Sequence, residues 1–323
     1  MLAQPMLARL RQQYPEAEID LFAPPWTVPL LQLFPEVHQV IENPFPHGAL
    51  QLGLRRRQGK ALRDKKYDRA IVLPNSLKSA LVPFFAGIPL RTGYVGEFRH
   101  GLLNDARALD KSALPLMVER YAQLAEARGA PLQKPVSQPR LLISEALRKQ
   151  TLQKFHLDTA KPIAALCPGA EYGPAKRWPI AYFATLAGKL REQGYAVWLF
   201  GSRKDKDIAD HINALDESAC RNLCGETRLD EAVALLACAS LVVSNDSGLM
   251  HLAAALDRPL IALYGSSSPQ FTPPLSGQAQ ILKLDLPCSP CFKRECPLGH
   301  FDCMEKLTPV YVAQHLPPPP AQE

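Results

Sequence analysis

The feature that most constrains this chain is the segment 241–255, LVVSNDSGLMHLAAA. Leu241, Val242 and Val243 form an apolar run of strand type, and Leu249, Leu252, Ala253 and Leu256 recur behind it at helical spacing. A strand feeding a helix across a short polar turn belongs to an α/β fold, and the turn is then a helix N-terminus. First-turn N–H groups have no partner within the helix and the macrodipole adds partial positive charge, so an anion can bind there without a dedicated cation. Asp246 or Ser247 is expected to cap the helix. Gly248 would let a ligand approach the backbone, and His251 falls on the same face as Ser247. The plain alternative is an ordinary capped helix packed on a sheet.

A second junction points the same way. PIAALCPG, 162–169, has a strand pattern and opens into AEYGPAKRWP, with a helix following from Ile180. Lys176 and Arg177 would neutralise a diphosphate, while Trp178 and Pro179 set where the helix starts. A solvated basic turn is the competing account. A third strand, Leu260–Tyr264, ends in another small-residue loop, GSSSP. Ligands of open α/β sheets sit outside the carboxyl ends of strands, so three such loops predict one nucleotide-type site.

CPGAEYGPAKRWP, SNDSGLMHLAAAL and YGSSSPQFTPPL resemble segments of glycosyltransferase family 9, the bacterial lipopolysaccharide heptosyltransferases. The stretch 66–105, KYDRAIVLPNSLKSALVPFFAGIPLRTGYVGEFRHGLLND, is similar to the acceptor half of such enzymes, so the resemblance spans nearly the whole chain. It implies an α/β fold of GT-B type, two Rossmann-like domains facing a central crevice. It also implies an inverting, metal-independent transfer of L-glycero-D-manno-heptose from ADP-heptose to a heptosyl-Kdo2-lipid A inner core. Carried over by position, Lys176, Arg177, Asp246, Ser247, Gly248 and His251 are implied donor-binding residues, with Lys176 stabilising the leaving group. Asn222 is a weaker member of that set, because it stands where related enzymes place an acidic residue at the ribose. Asn75, Ser76 and Lys78 are implied on the acceptor side, and Arg55, Arg56, Arg57 and Lys60 would meet acceptor phosphates and carboxylates.

Composition agrees with that class. The chain of 323 residues, 47% hydrophobic, has material for two cored domains. No apolar run approaches the roughly 18 residues of a membrane span, and Arg9 and Arg11 interrupt the only early apolar stretch. A cytoplasmic address, with peripheral contact at the inner membrane, is expected. Residues 1–135 carry 18 Lys and Arg against 12 Asp and Glu, whereas the remainder balances at 19 each, so the net charge of +6 lies in the first half. Its densest part is Arg55, Arg56, Arg57, Lys60, Arg63, Lys65 and Lys66. No nucleic-acid partner is expected for it, because no aromatic-interleaved platform accompanies the charge.

Strand patterns at 19–23, 37–41, 69–73 and 91–94 form one alternating series, and those at Ile163–Cys167, 196–200, 221–224, 241–244 and Leu260–Tyr264 form another. The Pro-rich stretch 128–138 separates them. The expected division is an acceptor-binding domain at 1–135, an ADP-heptose-binding domain at 136–316 with a closing helix at 308–316, and a disordered tail at 317–323.

Two features compete with this reading. Cys288, Cys291, Cys296 and Cys303 have a spacing that suits a structural zinc, with His300 as a substitute ligand, or reduced cysteines that merely pack. The other four cysteines, at 167, 220, 224 and 238, read as small buried hydrophobes. Asp205-Lys206-Asp207 resembles a metal-binding Asp-x-Asp, yet it opens a helix pattern, where acidic residues favour the dipole.

Family members begin with a β-strand and a Gly-rich loop ending in Gly-Asp, whose aspartate serves as base. This sequence begins with the helix that follows, so the base and its strand are expected upstream of Met1. Three rival readings follow: another heptosyltransferase of the family, a nucleotide-sugar epimerase or hydrolase, and a nucleotide-sugar-binding protein left inactive without the base.

Overall fold

The computed structural model describes residues 1–217 and 219–318, so 319–323 of the expected tail lie outside it. The chain divides into two compact units, Leu2–Val28 with Glu36–Ser137, and Met1 with Pro29–Pro35 and Gln138–Glu323. Every strand pairing in both units is parallel.

In the first unit, β1 (Asp20–Ala23) pairs with β2 (Gln39–Glu42) in a two-stranded sheet. A separate three-stranded sheet has the order β3 (Arg69–Val72), β4 (Leu90–Tyr94), β5 (Asp105–Arg107). Neither β1 nor β3 has a second neighbour among the described residues, and both are mostly half-buried. The helices Leu52–Ala61 and Leu77–Ala86 pack closely at Gly59, where an added Cβ would lie 2.5 Å from Phe85 Cβ and 2.7 Å from the Val82 carbonyl oxygen.

The second unit holds β6 (Ile163–Cys167), β7 (Ala196–Leu199), β8 (Arg221–Asn222), β9 (Ala239–Asn245), β10 (Leu260–Tyr264) and β11 (Ala279–Lys283). They stand in the order β11-β10-β9-β6-β7-β8, the doubly wound dinucleotide-binding order, which reverses between β6 and β9. Strands β6 and β10 are buried throughout, as parallel strands covered on both faces should be. The helix Ile180–Glu192 buries Phe183, Ala184, Leu186, Ala187 and Leu190 at helical spacing, against Leu166, Leu199, Val243 and Leu263 of the sheet. Each such leucine contributes about 1.5–3 kcal/mol on burial.

Strand boundaries differ from the sequence pattern where side chains compete for the backbone. The expected strand 221–224 stops at Asn222, whose side-chain oxygen accepts the Cys224 N–H and turns the chain. Strands β5 and β11 and the helix Glu145–Lys154 were not apparent in the alternation. The closing helix is Pro309–Ala313, capped by Thr308 Oγ1 and shorter than 308–316.

Gly59→Ala is expected to destabilise the first unit by about 1–3 kcal/mol, because the added methyl meets backbone and a Cβ rather than a flexible side-chain end. A thermal melt unchanged from the parent would show that the two helices separate freely.

Candidate active site

Strand β9 carries Asn245 and Asp246 to its carboxyl end, at the switch point of the sheet. Asn245 is fully buried, and its amide ties the end of β9 to the loop after β6: Nδ2 donates to the Pro168 carbonyl (2.7 Å), and Oδ1 accepts the Trp178 N–H (3.1 Å). Trp178 in turn donates its indole N–H to the Leu307 carbonyl and packs edge-on against Phe183. These bonds anchor the loop between β6 and the Ile180–Glu192 helix at both ends.

Asp246 is 5% exposed and accepts hydrogen bonds from Lys176 Nζ (2.5 Å) and from Ser267 Oγ. The loops after β6, β9 and β10 thus meet at one carboxylate. Lys176 also lies over the Tyr172 ring, 5.1 Å from its centroid. The two cations expected at a diphosphate both have partners within the protein. Lys176 is ion-paired, and Arg177 donates to the Ala170 carbonyl (3.4 Å) while its buried Nε has no partner.

The helix Gly248–Ala255 begins immediately beyond. Ser247 occupies the N-cap position, but its side chain does not cap, contrary to expectation. Its Oγ contacts Ser244 Oγ instead, and Asp246 is engaged by Lys176 and Ser267. The first turn is therefore free of a side-chain acceptor, and a Cβ at the exposed Gly248 would meet nothing within 4 Å. The site offers uncapped N–H groups, open space beside their backbone and a lysine held by a buried carboxylate. That set suits an anionic, phosphate-bearing ligand.

The described sequence matches the model of glycosyltransferase family 9 (heptosyltransferase) over residues 55–302. It is 50% identical to lipopolysaccharide heptosyltransferase 2 of Escherichia coli K12 over 98% of this chain and 93% of that protein. It is 52% identical to lipooligosaccharide heptosyltransferase 2 of Haemophilus influenzae over 88% of this chain and 85% of that one. The solved structure of Escherichia coli ADP-heptose LPS heptosyltransferase II superposes with a TM-score of 0.88 at 48% identity, covering 97% of this chain and 92% of that chain. The chain belongs to glycosyltransferase family 9. Its fold is the GT-B type α/β fold of these enzymes.

Other family 9 positions fall out differently. Asn222 is tied to Asp210 (2.6 Å) and to the Cys224 N–H. Asp205 accepts the N–H and hydroxyl of Ser202, so this acidic pair opens a helix as expected, and Gly169 lets the carboxylate approach the loop after β6. In the first unit Arg55, expected on the acceptor side, is held by the protein itself. It is 5% exposed, bonds the carbonyls of Ala49, Leu50 and Lys78, and lies over the Phe45 ring. Arg56, Arg57 and Lys60 are exposed. Asn75 and Ser76 are organised by Arg99, a buried residue absent from the expected set, which bonds the Pro74 and Ser76 carbonyls and Asn75 Oδ1. Lys78, half-buried, follows in the first turn of its helix, where the Leu77 N–H is capped by Glu97.

The loop carrying the four late cysteines is bonded to the site loops. Ala175 N–H donates to the Arg294 carbonyl, Tyr172 Oη to that of Phe292, the Phe292 N–H to that of Ser266, and Ser289 Oγ to that of Gly265. Cys288, Cys291, Cys296 and Cys303 border a cavity of about 20 Å3 with Ser266, whose buried hydroxyl has no partner. Backbone N–H groups of residues 298–301 hold the Cys296 thiol below its usual pKa, whereas burial and the other three cysteines push Cys303 up to about 11. Even so, among the described residues no group of three or more His, Cys, Asp or Glu side chains is spaced to hold a metal. Cys167, Cys220 and Cys224 are buried as expected, while Cys238 is half-buried.

Burial pulls the His251 pKa down to about 4, against the opposing pull of Asp246. Because the folded value lies below the ordinary 6.5, His251 contributes stability that is complete above pH 6.5 and is lost as pH falls toward 4. His251→Gln is expected to flatten the fall in melting temperature across that window. An unaltered acid limb would place the loss elsewhere.

Proposed function

We propose that this family 9 chain is an inverting glycosyltransferase that moves L-glycero-D-manno-heptose from ADP-heptose to a heptosyl-Kdo2-lipid A inner core in lipopolysaccharide biosynthesis. The observation that carries this reading is the uncapped Gly248–Ala255 helix N-terminus beside the Lys176–Asp246 pair, on a chain about half identical to heptosyltransferase 2 proteins. The acceptor hydroxyl attacks the anomeric carbon from the face opposite the diphosphate, and its proton passes to water. The C–O bond to phosphate breaks with inversion, and the electron pair leaves on ADP. Negative charge grows on the diphosphate as that bond lengthens, where the helix N–H groups and the Lys176 ammonium stabilise it. Asp246 keeps that ammonium in place, and His251 stays neutral.

Residues 136–316 form the donor domain in this reading and 1–135 the acceptor domain, where Arg56, Arg57, Lys60, Asn75, Ser76 and Lys78 take the acceptor's phosphates and carboxylates. Transfer needs no divalent cation: Asp205 is occupied in capping, and the leaving group is stabilised by the chain itself. The address is the cytoplasm, with peripheral contact at the inner membrane. Among the described residues no helix is long and apolar enough to cross a membrane.

Lys176→Ala is expected to slow transfer by about 10²–10³-fold, or about 2.7–4 kcal/mol in the transition state, while weakening ADP binding much less. Turnover equal to that of the parent would remove Lys176 from the mechanism.

For the four late cysteines we propose a structural zinc. Four thiolates are a zinc donor set, and the four cysteines border one cavity. Purified protein should then carry about one metal per chain, and a chelator should lower the melting temperature without changing transfer. Metal-free protein with the same melt would make these cysteines packing residues.

A further inference from the structure

The first unit carries a groove whose apolar wall the transfer reaction does not account for. A cavity of about 380 Å3 opens between the Leu52–Ala61 and Leu77–Ala86 helices, lined by Leu52, Arg56, Lys60, Arg63 and Phe85. Arg56, Lys60 and Arg63 follow one another at spacings of four and three, so they lie on one side of the chain. Leu52 and Phe85 supply the apolar wall, and the close approach at Gly59 brings the Phe85 segment against the cationic helix. Arg63 is set by a bond from Nε to the Phe85 carbonyl (3.0 Å). No ion pair among the described residues of this unit involves Arg56, Lys60 or Arg63.

The surroundings extend both characters. Across residues 52–66, Arg56, Arg57, Lys60, Arg63, Lys65 and Lys66 are exposed, against Asp64 as the one exposed acid. Large apolar side chains stand in solvent beside them: Leu50 at 52% exposure, Leu52 at 51% and Phe84 at 42%. A soluble phosphate would need the cations but not the apolar rim. Clustered cations with exposed apolar side chains are the two signals that together hold a protein on an anionic bilayer.

We propose that this face is a docking surface for an anionic phospholipid bilayer, with a phosphate-bearing headgroup in the groove and Leu50, Leu52 and Phe84 entering the interface. It extends the acceptor reading of Arg56 and Lys60 by naming the surface on which a lipid-linked acceptor is met. The vesicle comparison on the parent chain omits both substrates, so failure of the transfer reading leaves it untouched.

The full chain is sedimented with vesicles of phosphatidylglycerol and phosphatidylcholine, and with phosphatidylcholine alone, at about 0.1 M and about 1 M salt, where the Debye length falls from about 10 to 3 Å. Binding should be at least about tenfold tighter on the anionic vesicles and should be lost at high salt. The pair K65E/K66E, and separately Leu52→Ser, should each weaken it by about tenfold while leaving the melt and transfer to a detergent-dispersed acceptor unchanged. Equal binding to both vesicles, or undiminished binding by both variants, would overturn the proposal. So would sedimentation only when acceptor lipid is present, which would make the groove an acceptor site alone. If a variant melts early, the lipid and salt comparisons on the parent chain still decide.

Discussion

The second unit depends on two adjacent side chains at the end of β9. Asn245 has no contact with solvent, so its amide must find partners within the protein or leave polar atoms buried at a cost of about 1–3 kcal/mol each. It finds them on the Pro168 carbonyl and the Trp178 N–H, so β9 fixes the loop after its neighbour β6. Asp246 then collects Lys176 and Ser267 from the loops on either side. Removing Asn245 would free the loop after β6, and removing Asp246 would part that loop from the one after β10. Packing under the sheet sets where the strands end, and these two residues set what their ends do.

That dependence explains why the helix N-terminus stays open. The residues placed to cap Gly248–Ala255 are used elsewhere: Asp246 by a cation and a hydroxyl, Ser247 by Ser244. Uncapped N–H groups beside empty space are stable in water and ready for an anion. A capped helix would have been stabilised by about 1 kcal/mol and closed to a diphosphate. The same economy governs the cysteine-bearing loop, whose backbone is bonded to the loops after β6 and β10 and therefore shares their position whether or not its thiols hold a metal.

The first unit uses arginine in two ways that sequence alone does not separate. Arg55 and Arg99 are buried and spend their donors on backbone carbonyls, organising the turns around 49–50 and 74–76. Arg56 and Arg57, the immediate neighbours of Arg55, face solvent. A helix turns 100° per residue, so adjacent members of one basic run must point to different environments. The run announces a cationic face, and burial decides which of its members belongs to it.

The strand-turn-helix pattern at 241–255 and the repetition of strand-end loops were sufficient for an α/β fold with parallel sheets, because alternation of apolar runs with helical periodicity has few other solutions. The same segments located Lys176, Asp246 and Gly248 in one region, since a strand's carboxyl end is set by where its apolar run stops. Partnership was not legible. That Lys176 is paired, that Ser247 does not cap, that Arg55 is buried and that Asn245 and Arg99 matter all depend on side chains distant in sequence. Asn245 carried a faint signal, an amide closing an apolar strand, but its partners lie 67 and 77 residues away. Local sequence determines periodicity and turn chemistry, which are short-range. Which donor meets which acceptor is decided only when the strands stand side by side in the folded order.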